Sequence, residues 1–284
     1  MLKLTLFNVR HGFCAFATGP NGTNTLFDCG HDEETGFRPS IYFPAAGVRN
    51  INRMVLGNFD TDHASDLHNL VRNVNVQHFI RNRSITPEQL RVLKLAGGPI
   101  SPGIKTAIAM HGEYIHPDAS IDYAGITLTT FYNNHPEFTD TNNLSVVSFL
   151  QYSNLCICIP GDLECKGWER LLARADFCNY LRQVNIFVAS HHGRIGGYCA
   201  SVFDYCRPAI ILISDREIIY ETQACDYAKH ASGIGWNGSA TEKRYVLTTR
   251  CDGNMIITKE PNQPFHITVG VEVTAPMSRA ASSF

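Results

Sequence analysis

The most constraining feature of the chain is a pattern that recurs three times: an apolar run of strand length ends in a cluster of metal-ligand side chains. Residues 51–57 lead into Asn58-Phe59-Asp60-Thr61-Asp62-His63, residues 155–159 into Gly161-Asp162, and residues 184–189 into Ser190-His191-His192-Gly193. Short apolar runs bounded by turn residues read as buried strands. In mixed α/β proteins the loops at strand C-termini are held by a rigid sheet and aim polar groups at a common point. The pattern therefore predicts one shared edge carrying Asp60, Asp62, His63, Asp162, His191 and His192, with the run 209–213 and its Ser214-Asp215 ending beside it.

The rest of the chain supplies an α/β frame for that edge. Strands are expected at 2–9, 13–18, 25–29, 126–132, 144–151, 245–249, 255–259 and 266–273, with a Gly19-Pro20-Asn21-Gly22 turn between the second and third. Helical spacing falls at 39–46, 64–71, 87–95, 166–173, 177–181 and 222–230, and the Gly- and Pro-rich stretch 97–103 reads as a surface connection. At 284 residues one domain over 1–274 is expected, followed by a frayed tail at 275–284.

Composition narrows the partners. A formal net charge of -2 lacks the global basic field of a protein that grips long nucleic acid through its phosphates, although a local groove is not excluded. The start of the chain alternates like a strand rather than a signal peptide, and no apolar run is long enough for a bilayer, so a cytoplasmic protein with no membrane contact is expected. The 10 cysteines fall mostly inside expected elements and read as reduced, small core residues. Cys156 and Cys158, one residue apart in a strand, lack the spacing of a zinc ribbon.

Carboxylate and imidazole groups are the ligands of zinc, manganese and iron, and a bridging Asp holds two ions together. The strand-end set is chemically sufficient for at least one metal. Each piece also has a bland reading: Gly161-Asp162 as a turn with a helix cap, His191-His192-Gly193 as a loop, Asp28 as a turn-forming acid. His78, His111, His116 and His266 show no ligand spacing; His11 and His31 flank the presumed edge within reach of substrate, with a turn hydrogen bond the simpler reading, while His230 reads as a helix cap and Asp215 as a residue able to approach the site.

These residues resemble the metallo-β-lactamase superfamily, and within it the branch of the hydrolase domain of the competence protein ComEC. The family's His-x-His-x-Asp-His loop looks like residues 58–63, its Gly-Asp like Gly161-Asp162 and its His-His-Gly like His191-His192-Gly193. Asn8-Val9-Arg10-His11-Gly12, Asp28-Cys29-Gly30, Asn143-Leu144-Ser145-Val146-Val147 and Thr248-Thr249-Arg250-Cys251-Asp252-Gly253 also follow that branch in order, so the resemblance covers residues 1–260. It implies a four-layer αβ/βα sandwich of two mixed β-sheets flanked by helices. It further implies Asp62, His63 and His191 as ligands of a second metal, Asp162 as the bridging carboxylate, His192 as a donor to a phosphate oxygen or leaving group, and Asp28 as a brace behind the metal loop.

Departures from the pattern bear on the first metal. Asn58 and Asp60 stand where the family has its two leading histidines, and Thr141 or Asn142 where many members have a third. A carboxylate and a neutral amide make a harder, weaker site, either vacant or suited to manganese or magnesium rather than zinc. The resemblance implies a metallo-hydrolase with one or two zinc ions that cleaves a phosphodiester, nucleic acid or nucleotide, with Asp162, His192 and Asp60 closest to the chemistry. The alternatives are a catalytically weak metal-binding regulatory module and a hydrolase of a lactone, thioester or lactam. Oligomeric state is not legible.

Overall fold

The computed structural model describes residues 1–114, 121–216, 222–236 and 238–272; His116 and the expected tail at 275–284 lie outside the described residues. Two mixed sheets lie face to face. The first runs in the order Phe265–Val269, Met255–Lys259, Leu2–Leu6, Ala15–Thr18, Asn24–Phe27, Arg53–Val55 and Phe79–Ile80; the second in the order Val246–Thr248, Ile210–Ile213, Ile186–Val188, Leu155–Ile159, Val146–Tyr152 and Ile126–Tyr132. Strand alternation sorts the side chains into layers. Leu4, Val55, Leu150, Ile157, Ile186 and Ile257 point between the sheets. Met54, one residue from Val55, points the other way onto Leu67, Leu70, Leu90, Ile104 and Ala107 of the outer helices. Phe149 and Cys158 likewise face Trp168, Phe177 and Leu181. The result is a four-layer αβ/βα sandwich, and Cys156 and Cys158 share the helix-facing side of one strand as core residues.

Strand direction decides where the chemistry collects. Leu155–Ile159, Ile186–Val188, Ile210–Ile213 and Val246–Thr248 are mutually parallel, as are Asn24–Phe27, Arg53–Val55 and Phe79–Ile80 in the other sheet. Their C-terminal ends therefore share edges, and a hydrogen bond from Val146 N to Gly57 O at 2.8 Å joins the two sheets beside the loop 58–63.

The structure departs from expectation at several places. The loop 58–63 opens a short helix Thr61–Ala64 that is separate from Leu67–Asn73, where one helix over 64–71 was expected. The helix Pro102–Glu113 begins inside the stretch read as a connection. A Cβ on Gly103 would lie 1.9 Å from Ala64 O, so this helix packs on the short helix Thr61–Ala64 only because residue 103 has no side chain. The reading of all cysteines as reduced is corrected at Cys165 and Cys199, which form a disulfide joining the start of helix Cys165–Leu172 to the segment after His191-His192-Gly193. The other eight are free. Among the described residues no helix is long and apolar enough to cross a membrane.

Candidate metal centre

Helix Thr61–Ala64 starts as the chain leaves the sheet, and it carries Asp62 and His63 inward. Their loop is pressed close: Gly12 sits at φ 129° with a virtual Cβ only 2.5 Å from Asp62 O, so a side chain there would collide with the ligand loop. His63 is buried and fixed from behind, its Nδ1 lying 2.7 Å from Asp28 Oδ2 while Asp28 Oδ1 accepts from Gly57 N at 2.6 Å. Such a brace sets the imidazole tautomer and aims Nε2 away from the carboxylate behind it.

Asp162 arrives from the other sheet, with its amide donating to Ser145 Oγ at 3.1 Å. His63 Nε2 lies 3.0 Å from Asp162 Oδ1 without hydrogen-bond alignment, and it is buried with no hydrogen-bond partner. A buried imidazole nitrogen facing a carboxylate oxygen must be completed by a proton or by a metal cation.

The last arm is the 3-10 turn Ser190–Gly193. His191 and His192 both adopt left-handed backbone, φ 51° and 55°, a conformation that side chains resist and that concentrates at functional sites. This geometry turns His192 Nε2 toward Asp62 Oδ2 at 3.1 Å and Asp162 Oδ2 at 3.6 Å, with Nδ1 held by Ser214 O at 3.0 Å. His191 lies farther from the cluster: its Nε2 is 4.0 Å from Asp162 Oδ2 and its Nδ1 3.5 Å from Glu164 Oε1.

Asp62, His63, Asp162 and His192 thus offer one ligand atom each, all within 4.8 Å of one another. Two imidazole nitrogens and two carboxylates are a donor set for a divalent first-row ion, and the orphaned His63 Nε2 marks where it fits. The electrostatics agree. Burial alone raises Asp162, but His63 and His192 outweigh it and hold the carboxyl at about 2. Burial likewise resists protonation of His63, yet Asp162, Asp28 and Asp62 raise it well above the usual imidazole range. His192 is raised in the same way by Asp162 and Asp62. The centre is an anionic pocket that attracts protons when it lacks a metal.

Other residues of the sequence-derived set are not brought into this cluster. Asp60 faces Lys94 and Thr141, and Asn58 donates to Asp60 Oδ2 at 3.0 Å and Asn142 Oδ1 at 3.1 Å. Sequence reasoning favoured a turn role for His11 over contact with substrate, yet its Nε2 lies 3.4 Å from Asp62 Oδ2 and its ring 4.9 Å from that of His192. It missed Arg194, which reaches His11 at 3.2 Å, and also Glu164 and Lys94. The Arg10-His11-Gly12 run at a strand end was the one available signal for His11.

No protein-family profile matches the chain, and no curated protein is similar to it. Among solved structures, a diphosphatase from the PhnP family is similar at 9% identity and TM-score 0.47, over 92% of this chain and 99% of that one. A long-form RNase Z from yeast is similar at 9% identity and TM-score 0.45, over 96% of this chain and 50% of that one. A variant of the β-hydroxylase CmlA is similar at 11% identity and TM-score 0.43, over 75% of this chain and 46% of that one. This chain therefore matches about half the length of the latter two. At these identities none of them assigns an activity to it.

Proposed function

We propose that the protein is a metal-dependent hydrolase of the metallo-β-lactamase superfamily that cleaves a phosphodiester, in nucleic acid or a nucleotide, with zinc as its metal. The observation that carries this reading is the convergence of Asp62, His63, Asp162 and His192 on one point, with His63 Nε2 left unsatisfied there. These four residues would hold a divalent cation, which would supply a more acidic water and Lewis acidity toward a phosphoryl oxygen.

The chain's own groups do the rest. Asp28 keeps Nδ1 of His63 engaged so that Nε2 stays available. Asp162, reached by both His63 and His192, brings the two sheets to one centre. His11, held neutral because burial and the adjacent His192 bring it down to about 4, stands at the rim as an uncharged hydrogen-bonding group rather than as a base. Arg194, in contact with His11, supplies positive charge where an anionic substrate would approach. His191 and Glu164 lie beside the cluster and suit the side of the leaving group.

Turnover of bis(p-nitrophenyl) phosphate with added zinc tests the reading. The wild type is expected to release p-nitrophenolate and Asp162→Asn to lose that activity, whereas equal rates in both would contradict the assignment. A second reading, a metal-holding module with little turnover, is favoured by one observation: Asn58 and Asp60 are engaged with each other and with Lys94 and Thr141. A zinc-loaded protein that never turns over phosphodiesters would support it.

A further inference from the structure

The loop 58–63 sends its two carboxylates in different directions. Asp62 joins the cluster, whereas Asp60 precedes helix Thr61–Ala64 as its cap residue and faces outward. Both oxygens of Asp60 are occupied. Thr141 Oγ1 lies 3.0 Å from Oδ1 and 2.8 Å from Oδ2, Asn58 Nδ2 donates to Oδ2 at 3.0 Å, and Lys94 Nζ pairs with Oδ1. The network continues from Asn58 Nδ2 to Asn142 Oδ1 at 3.1 Å and from Asn142 Nδ2 to Glu164 Oε1 at 3.0 Å.

Lys94 is placed there by its helix. Pro87–Ala96 opens on a capping box in which Thr86 Oγ1 accepts from Gln89 N at 3.2 Å and Gln89 Oε1 accepts from Thr86 N at 2.9 Å. Leu90 is the buried anchor of that helix, and Lys94, four residues on, shares its face. The ammonium is thereby carried onto Asp60 rather than into solvent, and its side chain is only 18% exposed.

We propose that the Lys94 ammonium takes the position of a second cation, so that the centre holds one metal ion per chain. This rests on the metal centre described above. A divalent ion at Asp60 would sit against a fixed positive charge and would have to displace three hydrogen-bonding neighbours. The remaining donor in that half, Asn58 Oδ1, is buried without a hydrogen-bond partner, but a neutral amide oxygen is a weak ligand beside an ammonium. Lys94 acts on the centre as a positioning residue: it neutralises Asp60 and leaves Asp62 as the loop's one carboxylate in the cluster.

Equilibrium dialysis of the full chain against zinc, and separately against manganese, followed by elemental analysis, reads this directly. The wild type is expected to hold one equivalent of either ion. Lys94→Met and the more soluble Lys94→Gln should rise toward two with manganese, while Lys94→Arg stays at one. Circular dichroism of each variant confirms that it is folded. Two equivalents in the wild type, or one in folded Lys94→Met and Lys94→Gln, would overturn the role of Lys94 but leave the metal centre standing. No bound metal in the wild type would instead remove the centre itself.

Discussion

His63 is held between two carboxylates, with Nδ1 2.7 Å from Asp28 Oδ2 and Nε2 3.0 Å from Asp162 Oδ1, and the second contact is poorly aligned for a hydrogen bond. One carboxylate braces the ring and the other faces the point where a cation fits. Asp28→Asn should therefore lower zinc affinity by roughly 10- to 100-fold with the fold retained. Asp28→Ala should in addition cost about 1–3 kcal/mol, because Gly57 N and His63 Nδ1 lose their acceptor. Chelator competition and chemical unfolding separate the two effects; unchanged affinity in Asp28→Asn would make the contact merely structural.

The two adjacent histidines provide a second test. The resemblance implied His191 as the ligand, but His192 is the one whose Nε2 lies within 3.1 Å and 3.6 Å of Asp62 and Asp162. We therefore expect His192→Ala to lose more bound metal than His191→Ala, with His191→Ala chiefly lowering turnover. Metal content after dialysis decides the order.

Metal binding should expel protons. In the metal-free pocket the surrounding carboxylates raise His63 well above the usual imidazole range and raise His192 as well, both against the opposing effect of burial. A ligating imidazole must be neutral, hence affinity should rise with pH and about one proton or more should leave per ion. Calorimetric titration in buffers of different ionisation enthalpy measures that release. Heats independent of the buffer would contradict the charged pocket.

His11 gives the opposite sign in the metal-free protein. Burial, with help from His192 and against Asp62, brings it from 6.5 down to about 4. The unfolded chain takes up the proton that the folded chain refuses, so this residue costs stability progressively as pH falls from about 6.5 to about 4. Urea unfolding at pH 7 and pH 5 should show His11→Gln gaining on the wild type at the lower pH. An unchanged difference would mean that His11 titrates normally.

Packing of the outer layer can be probed away from the site. Phe149 is fully buried and meets the rings of Phe131, Phe177 and Tyr180 at 5.9, 5.6 and 5.3 Å. Phe149→Ala should cost about 3–5 kcal/mol in chemical unfolding. A loss below about 1 kcal/mol would show that the helices over this sheet are loosely packed.

Elements whose identity is set locally were legible in the sequence. Leu155–Ile159, Ile126–Tyr132 and Met255–Lys259 fall at the expected residues because each is an apolar or alternating run with sharp polar boundaries. The convergence of strand-end clusters was legible too, since parallel strands bring successive C-termini to one edge. What failed depends on tertiary contact. Pro102–Glu113 was hidden by Gly103, whose missing side chain reads as a breaker but serves the close approach to Ala64. Asp60 and Asp62 look equivalent two residues apart, until the start of helix Thr61–Ala64 separates their directions. Two consecutive left-handed residues decide which of His191 and His192 turns inward, and no spacing rule encodes that. Lys94 pairs with Asp60 across a separation of 34 residues, which only the packed helix reveals.

Of the four proposed ligands of one metal ion, Asp62, His63, Asp162 and His192, Asp162 is the most exacting because it faces both imidazoles. The most direct measurement is elemental analysis of wild type and Asp162→Asn, purified side by side without added metal and checked for folding by circular dichroism. The wild type should carry stoichiometric zinc and the variant should have lost most of it. A folded Asp162→Asn with wild-type metal content would contradict the centre.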